Sequence, residues 1–268
     1  MTTPSSSTPR PVVLVTGAAR RIGRAIALEL AAHGFDVAVH HRGHDDAELE
    51  LTLAALRAHG ARSEAFAAEL ADEAACEALL PGVVKRFGRV DALVNNASAF
   101  AYDTVADFSA ATLDVQWRTN TAAPVLLARA LHAHLAARGA QGCAVNLLDQ
   151  KLWNPNPDHF SYTLSKAALE AATTLLAQAL APTLRVVGVA PGVTLPSGPM
   201  DEAEFAVSHA MTPLGRSSTP EDVARAVRFL IESPAITGTT LLVDGGQHLA
   251  SQRRDVMFLA RDALGGGQ

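Results

Sequence analysis

The chain has 268 residues, 49% of them apolar and 18% charged, with 22 Lys and Arg against 27 Asp and Glu and only two cysteines. This composition supports a sizeable core and excludes disorder, while the mildly acidic balance argues against a nucleic-acid partner. Two distant cysteines cannot staple a secreted fold or build a metal cluster, and no apolar run approaches the ~20 residues that span a bilayer, so a reducing compartment, the cytoplasm, is expected.

At about 150 residues per domain the length leaves one or two domains open. Residues 1–10 are Pro/Ser-rich without an apolar h-region, which reads as a flexible lead-in. Val12 to Val15 is a short β-branched run, the pattern of a strand buried on both faces. Ile22, Ala25, Ile26 and Leu30 recur at helical spacing, and His33-Gly34 closes that helix. Val37 to Val39 is a second strand, Ala47 to Ala58 a second helix ended by Gly60, and Ser63 to Ala67 a third strand. Cys76 to Phe87 is helical, Gly88 stops it, and Ala92 to Val94 is a fourth strand. Ala144 to Leu148, Val186 to Val189 and Leu241 to Val243 continue the series, with helical stretches between them. Such alternation predicts a doubly wound, mostly parallel α/β sheet with helices on both faces. No linker interrupts it, so residues 11–250 are expected to form a single domain. Residues 191–220 are the one long irregular stretch, with a helix-like piece from Glu202 to Ala210, and read as an active-site lid. Residues 251–268 form a tail with an apolar patch (Val256, Met257, Phe258, Leu259) available to a neighbouring subunit.

The first strand runs into Thr16-Gly17-Ala18-Ala19-Arg20-Arg21-Ile22-Gly23 and then a helix. Strand, glycine turn and helix N-terminus together suit a dinucleotide pyrophosphate, although an ordinary βα turn has the same outline. A site for the unphosphorylated cofactor needs a carboxylate at the end of the second strand. Here His40-His41-Arg42 stands there, with no acid before Asp45. Arg21 and Arg42 either converge on a 2′-phosphate, in a local basic site completed by His40 and His41, which favours NADPH over NADH, or are solvated surface.

Tyr162 and Lys166 lie four apart and so share one helical face. A phenol with a pKa near ~10 needs a nearby cation to serve in proton transfer at neutral pH. Asn95-Asn96-Ala97-Ser98 follows the fourth strand, Asn120 lies in the next helix, and Pro191-Gly192 follows the strand after the Tyr162 helix. All sit where an open α/β sheet binds its ligands.

With these motifs in this order, the chain resembles the short-chain dehydrogenase/reductase family over nearly all of residues 11–249. The resemblance implies a seven-stranded Rossmann sheet, an NADP(H) or NAD(H) cofactor and a homotetramer. It implies Tyr162 as proton donor, Lys166 holding the nicotinamide ribose and lowering the tyrosine pKa, and Asn120 holding a water in the relay. It further implies cofactor contacts at Gly17, Arg21, Ile22, Gly23, His41, Arg42, Leu70, Asn96, Ala97, Ser98, Pro191, Gly192 and Thr194. Glu69 stands where the family commonly has Asp next to Leu, near the adenine.

Two departures narrow the resemblance. Thirteen positions before the tyrosine the family has serine, whereas this chain has Asp149, which repels a developing alkoxide but suits a substrate with N–H groups and ring nitrogens. Arg21 replaces the middle glycine of the turn. Both resemble the pteridine reductase branch, which shares Asn96-Ala97-Ser98-Ala99-Phe100. That likeness implies Phe100 stacked on a pterin, with Ser98 and Arg21 at its polar edge and Asp149 and Tyr162 beside the reacting atoms. The bland alternatives are a core Phe100 and an Asp149 that caps or pairs with an arginine. Trp153 is either pocket wall or structural.

The expected activity is therefore NADPH-dependent reduction of a dihydropteridine. Reduction of a ketone or quinone, such as an oxoacyl group, is the enzymatic alternative, and a non-catalytic NADPH sensor the other. No metal spacing is present among the histidines. The Tyr162 to Ala181 helix is apolar or small almost all round, which predicts a second buried face against another subunit. Only three residues are lysine (Lys85, Lys151 and Lys166), so a lysine at 166 in an arginine-rich chain points to a need for a compact ammonium.

Overall fold

The computed structural model describes residues 9–43, 46–197 and 200–265. Most of the expected lead-in, Asp45, two lid positions and the end of the tail lie outside them. In chain order the elements are β1 (Val12–Val15), α1 (Arg21–Ala32), β2 (Asp36–His41), α2 (Asp46–Ala58), β3 (Ser63–Ala67), α3 (Glu73–Phe87), β4 (Ala92–Asn95) and α4 (Ala110–Trp117). A π-helical turn, Arg118–Ala122, leads into α5 (Ala123–Ala137) and β5 (Gly142–Leu147). Then come α6 (Phe160–Leu180), β6 (Leu184–Pro191), α7 (Glu202–Ala210), α8 (Pro220–Glu232), β7 (Thr240–Val243) and α9 (Val256–Gly265).

Among the described residues seven strands form one sheet in the order β3-β2-β1-β4-β5-β6-β7, every neighbouring pair parallel. Alternation along β1 divides the core. Val13 and Val15 face a cluster with Ile26 and Leu30 of α1, Leu53 of α2 and Val227 of α8. Val12 and Leu14 face the opposite cluster, with Leu79 of α3, Leu127 of α5 and Ala177 of α6. Side chains of a strand point to alternate faces, so both faces of a parallel sheet must be apolar and covered. The chain reverses its direction of winding between β1 and β4, and the crevice at their carboxyl ends is where such sheets take ligands.

Two segments differ from the reading of the sequence. The stretch around Asn120 is two helices joined through a π-helical turn, not one helix. In the tail patch, Val256 and Met257 are buried in their own chain, on the helix that packs against α7. The expected helix-like piece of residues 191–220 is α7, which opens with a capping box between Asp201 and Glu204.

Candidate active site

The glycine turn after β1 is bolted to β4. The Thr16 hydroxyl accepts from the backbone N–H groups of Asn96 (2.9 Å) and Ala97 (3.0 Å). Asn96 Nδ2 donates to the carbonyls of Thr16 (2.8 Å) and Gly17 (3.2 Å). Gly17 has φ +63°, and a Cβ on Gly23 would lie 2.2 Å from the Gly17 carbonyl oxygen. The turn and the start of α1 therefore approach more closely than any side chain allows, leaving a cradle of backbone at a helix N-terminus. Arg21 keeps the left-handed conformation of the glycine it replaces (φ +54°), at a cost of roughly 1–2 kcal/mol. Its guanidinium donates to the Pro196 carbonyl at 2.8 Å, tying the turn to the segment after β6.

His40 is not part of a basic patch. The Gly17 N–H donates to its Nδ1 at 3.0 Å, so Nε2 carries the hydrogen and donates to the Ala68 carbonyl at 3.1 Å. Burial pushes its pKa down to about 4, and the ring is a neutral brace under the turn. The cations at this end are Arg20, Arg21 and Arg42, with His41 beside them. Arg42 is 68% exposed, and Glu69 Oε2 lies 3.9 Å from its Nε. Gly17, Ile22, Gly23, Leu70, Asn96, and Ala97 line the same end of the cleft.

At the other end Tyr162 emerges from the first turn of α6. That helix begins with His159 in the left-handed region (φ +53°), and Asp103 accepts from the Ser161 N–H at 2.9 Å and from its hydroxyl. The Tyr162 hydroxyl donates to Asp149 Oδ2 at 3.0 Å, and the Lys151 N–H donates to Asp149 Oδ1 at 2.8 Å. Burial holds the Asp149 carboxyl above its ordinary pKa, against the pull of the Lys151 N–H and ammonium. Burial, then the Asp149 charge, raises Tyr162 well above 10. The expected lowering of the phenol pKa by Lys166 is therefore not what the protein alone does. Lys166 Nζ donates to the Leu147 carbonyl at 2.7 Å and stands 5.8 Å from the Tyr162 ring centroid. Burial lowers its own pKa to about 8.

Asn120 sits on the π-helical turn with its side chain fully engaged. Its Oδ1 accepts from the Ala99 N–H (2.8 Å) and the Ser98 hydroxyl (3.2 Å), and its Nδ2 donates to the Ala99 carbonyl (2.9 Å) and Ser165 Oγ (3.0 Å). It thus fixes the Ser98-Ala99 segment against α6. Thr194 directs its hydroxyl to the Gly192 carbonyl (2.9 Å) and pairs with Ser218 (2.8 Å), close to Pro191 on the cleft wall.

These groups border one cleft of about 950 Å³ running from Arg42 to α9. Phe100 is 46% exposed in it, with one face stacked on His159 (centroids 4.3 Å, 24°) and its ring edge-on to Tyr162 (4.7 Å, 85°). Trp153, expected as a candidate pocket wall, is not among the described lining residues. It is 39% exposed and follows a short 3-10 turn, Gln150–Leu152, of which Gln150 and Lys151 do line the cleft. The wall it was expected to supply comes from Tyr102, Met257 and Phe258 instead. Met257 and Phe258 stood out as an apolar patch, but nothing local assigned them or Tyr102 to the cleft, which they reach through long-range packing. Lys151 carried a signal that was readable: a lysine two positions after Asp149 in a chain nearly free of lysine. No cluster of His, Cys, Asp or Glu suited to a metal exists among the described residues.

A family model described as Enoyl-(Acyl carrier protein) reductase matches residues 17–248. The chain is 35% identical over 293 aligned positions to pteridine reductase 1 of Leishmania tarentolae, covering 91% of this chain and 99% of that one. It is 33% identical over 243 residues to the 3-oxoacyl-[acyl-carrier-protein] reductase FabG of Staphylococcus aureus strain Mu50, covering 88% and 97%. Among solved structures, FolM alternative dihydrofolate reductase 1 from Brucella suis, in complex with NADP, superposes with a TM-score of 0.86 at 40% identity over 93% of this chain and 99% of that one.

Proposed function

The chain belongs to the short-chain dehydrogenase/reductase family, and from that premise we propose that it is an NADPH-dependent reductase of a dihydropteridine. The observation that carries the reading is the Tyr162 to Asp149 hydrogen bond beside the half-exposed ring of Phe100. A carboxylate in contact with the proton donor is a poor neighbour for an alkoxide and a good one for a ring with N–H donors.

The backbone cradle at Gly17 and Gly23 fits a pyrophosphate, since any side chain there would fill it. Arg42 and His41 suit a 2′-phosphate, with Leu70, Asn96, Ala97 and Glu69 around the adenosine and Lys166, Pro191, Gly192 and Thr194 toward the nicotinamide. When bound, NADPH supplies the hydride that converts a ring C=N to CH–NH. The balancing proton belongs to this chain: Tyr162, kept protonated by burial, donates to the ring nitrogen, and Asp149 orients the ring through its N–H groups. Phe100 offers a flat face for stacking, with Ser98 and Arg21 near the polar edge.

The FolM and pteridine reductase relatives support this substrate class. The FabG relative keeps ketone reduction as the competing reading. NADPH oxidation measured with 7,8-dihydropterins, dihydrofolate and a ketone panel decides between them. Turnover of the pteridines is expected; turnover of ketones alone would overturn the proposal.

Residues 11–250 form in this reading one catalytic domain with 191–220 as its lid, and the segment after them adds Met257 and Phe258 to the cleft. The assembly is a homotetramer in which the exposed Leu164 and Leu175 of α6 meet a second subunit. No described helix is long and apolar enough to cross a membrane. Two buried free thiols, Cys76 and Cys143, accord with a reducing cytoplasm.

A further inference from the structure

Lys151 is only 4% exposed, an uncommon setting for a lysine. Its ammonium donates to the Asp158 carbonyl at 2.6 Å and pairs with Asp255 Oδ2 at 3.3 Å. Its backbone N–H holds Asp149. Asp255 opens the C-terminal helix, and its own N–H donates to Asp158 Oδ2 at 2.7 Å. Arg254 donates to the same oxygen at 2.8 Å. A second tie runs from Asn154, which donates through Nδ2 to the Ala250 carbonyl at 2.5 Å and accepts from the Gln252 N–H at 3.3 Å. Through these bonds the segment after β7 lies across the Asp149 to Asp158 loop, and it supplies Gln252, Asp255, Met257 and Phe258 to the cleft.

We propose that Lys151 is a positioning residue with two linked tasks: it holds the Asp149 carboxyl through its backbone N–H, with its cation two residues along the same loop, and it fastens the C-terminal segment as the outer wall of the substrate site. A buried ammonium needs a counter-ion, and Asp255 supplies it at 3.3 Å. Losing either partner leaves the other uncompensated and frees the wall.

The groups facing Asp149 are Tyr162 and Lys166 from α6, Lys151 from its own loop and Asp255 from the C-terminal segment. Lys151 and Asp255 act on it with opposite sign. A cation favours the ionised carboxylate and an anion disfavours it, so Lys151 pulls the Asp149 pKa down and Asp255 pushes it up.

The consequence for turnover rests on the dihydropteridine reading, but the titration of Asp149 needs no substrate. The experiment is a carboxyl 13C NMR titration of Asp149 in the full chain, with hydrogen exchange followed over residues 250–262. Lys151→Gln, which keeps a donor for the Asp158 carbonyl while losing the charge, is expected to raise the Asp149 midpoint by about one pH unit. Asp255→Asn is expected to lower it. Exchange over 250–262 is expected to accelerate at least tenfold in both. A purely structural role predicts shifts of the same sign in the two variants; that result, or no shift, overturns the charge role. Unchanged exchange overturns the fastening. Should Lys151→Gln fail to fold, Lys151→Met and the partly exposed Asp255→Asn carry the same comparison. Absence of pteridine turnover in the wild-type enzyme would sink the substrate reading and leave this result intact.

Discussion

Tyr162 donates its phenolic hydrogen to Asp149 Oδ2 at 3.0 Å, across a separation of 13 residues that joins the end of β5 to the first turn of α6. The carboxylate keeps the phenol protonated and competes with the substrate for its hydrogen. Asp149→Ser removes the charge but keeps a hydroxyl. Dihydropterin reduction is expected to fall by about 10²–10⁴ in kcat/KM, while any ketone reduction falls much less or rises. Parallel NADPH oxidation assays on the two substrate classes check the difference, and equal losses would remove Asp149 from substrate selection.

Arg42 is open to solvent, and its contact with Glu69 is long, so its charge is available to a bound phosphate. Arg42→Asp is expected to narrow the ratio of kcat/KM for NADPH over NADH by about 10-fold to 100-fold, the worth of a charge-assisted hydrogen bond. Most of the change should fall in the KM for NADPH. An unchanged ratio would refute the phosphate role.

How far the site was legible depends on how local its determinants are. The strands and the glycine turn announced themselves because a buried parallel strand needs a continuous β-branched run and a close backbone approach needs glycine. Tyr162 and Lys166 stood out by their helical spacing, and Asp149 by its departure from the serine of the family that the chain resembles. His40 was misread as a cation, since its charge depends on burial and on the Gly17 N–H, neither of which is local. That the C-terminal patch lines the cleft and Trp153 does not has the same cause. Which of two apolar segments faces the cleft is decided by ties such as Asn154 to Ala250, between residues almost a hundred positions apart. The π-helical turn at Asn120 had no signature in periodicity, because one extra residue per turn looks like a helix that drifts.

Gly23→Ala tests the cradle. The new methyl would stand 2.2 Å from the Gly17 carbonyl oxygen and 2.5 Å from Asn96 Nδ2, so the turn must open. Overpacking of this kind costs about 1–3 kcal/mol. The expected result is a folded protein with a lower Tm and dinucleotide affinity reduced by more than tenfold. Calorimetric titration with NADPH checks it, and unaltered affinity would show that the cofactor does not lie against this turn.

Lys166 trades stability for function. Its pKa is about 8 in the folded chain against 10.5 in an exposed lysine. The unfolded chain therefore holds the proton more tightly between those values, and stability rises as pH climbs from about 8 toward 10.5. Below pH 8 the penalty is complete, at about 3 kcal/mol. Lys166→Met is expected to lose that slope and to be no less stable than wild type at pH 7, although the Leu147 carbonyl loses its donor. Turnover should fall by at least 100-fold. Denaturant melts at pH 7 and pH 10 separate the two effects.

His40 gives the opposite arm of the pH profile. Its ring must be neutral to accept from the Gly17 N–H, and burial lowers its pKa from 6.5 to about 4. As pH falls from 6.5 to 4 the unfolded chain takes up the proton and the folded chain does not. The stability contributed by the neutral ring is thus fully present above pH 6.5 and is lost progressively down to about pH 4, some ~3 kcal/mol in all. His40→Gln keeps an acceptor for Gly17 but does not titrate. It is expected to be somewhat less stable than wild type at pH 7, because the amide matches the Gly17 and Ala68 geometry less well, and to lose less stability on acidification. The two unfolding curves, measured by urea titration at pH 7, 6, 5 and 4.5, should converge as pH falls. Parallel curves over that range would place the acid sensitivity of the fold elsewhere.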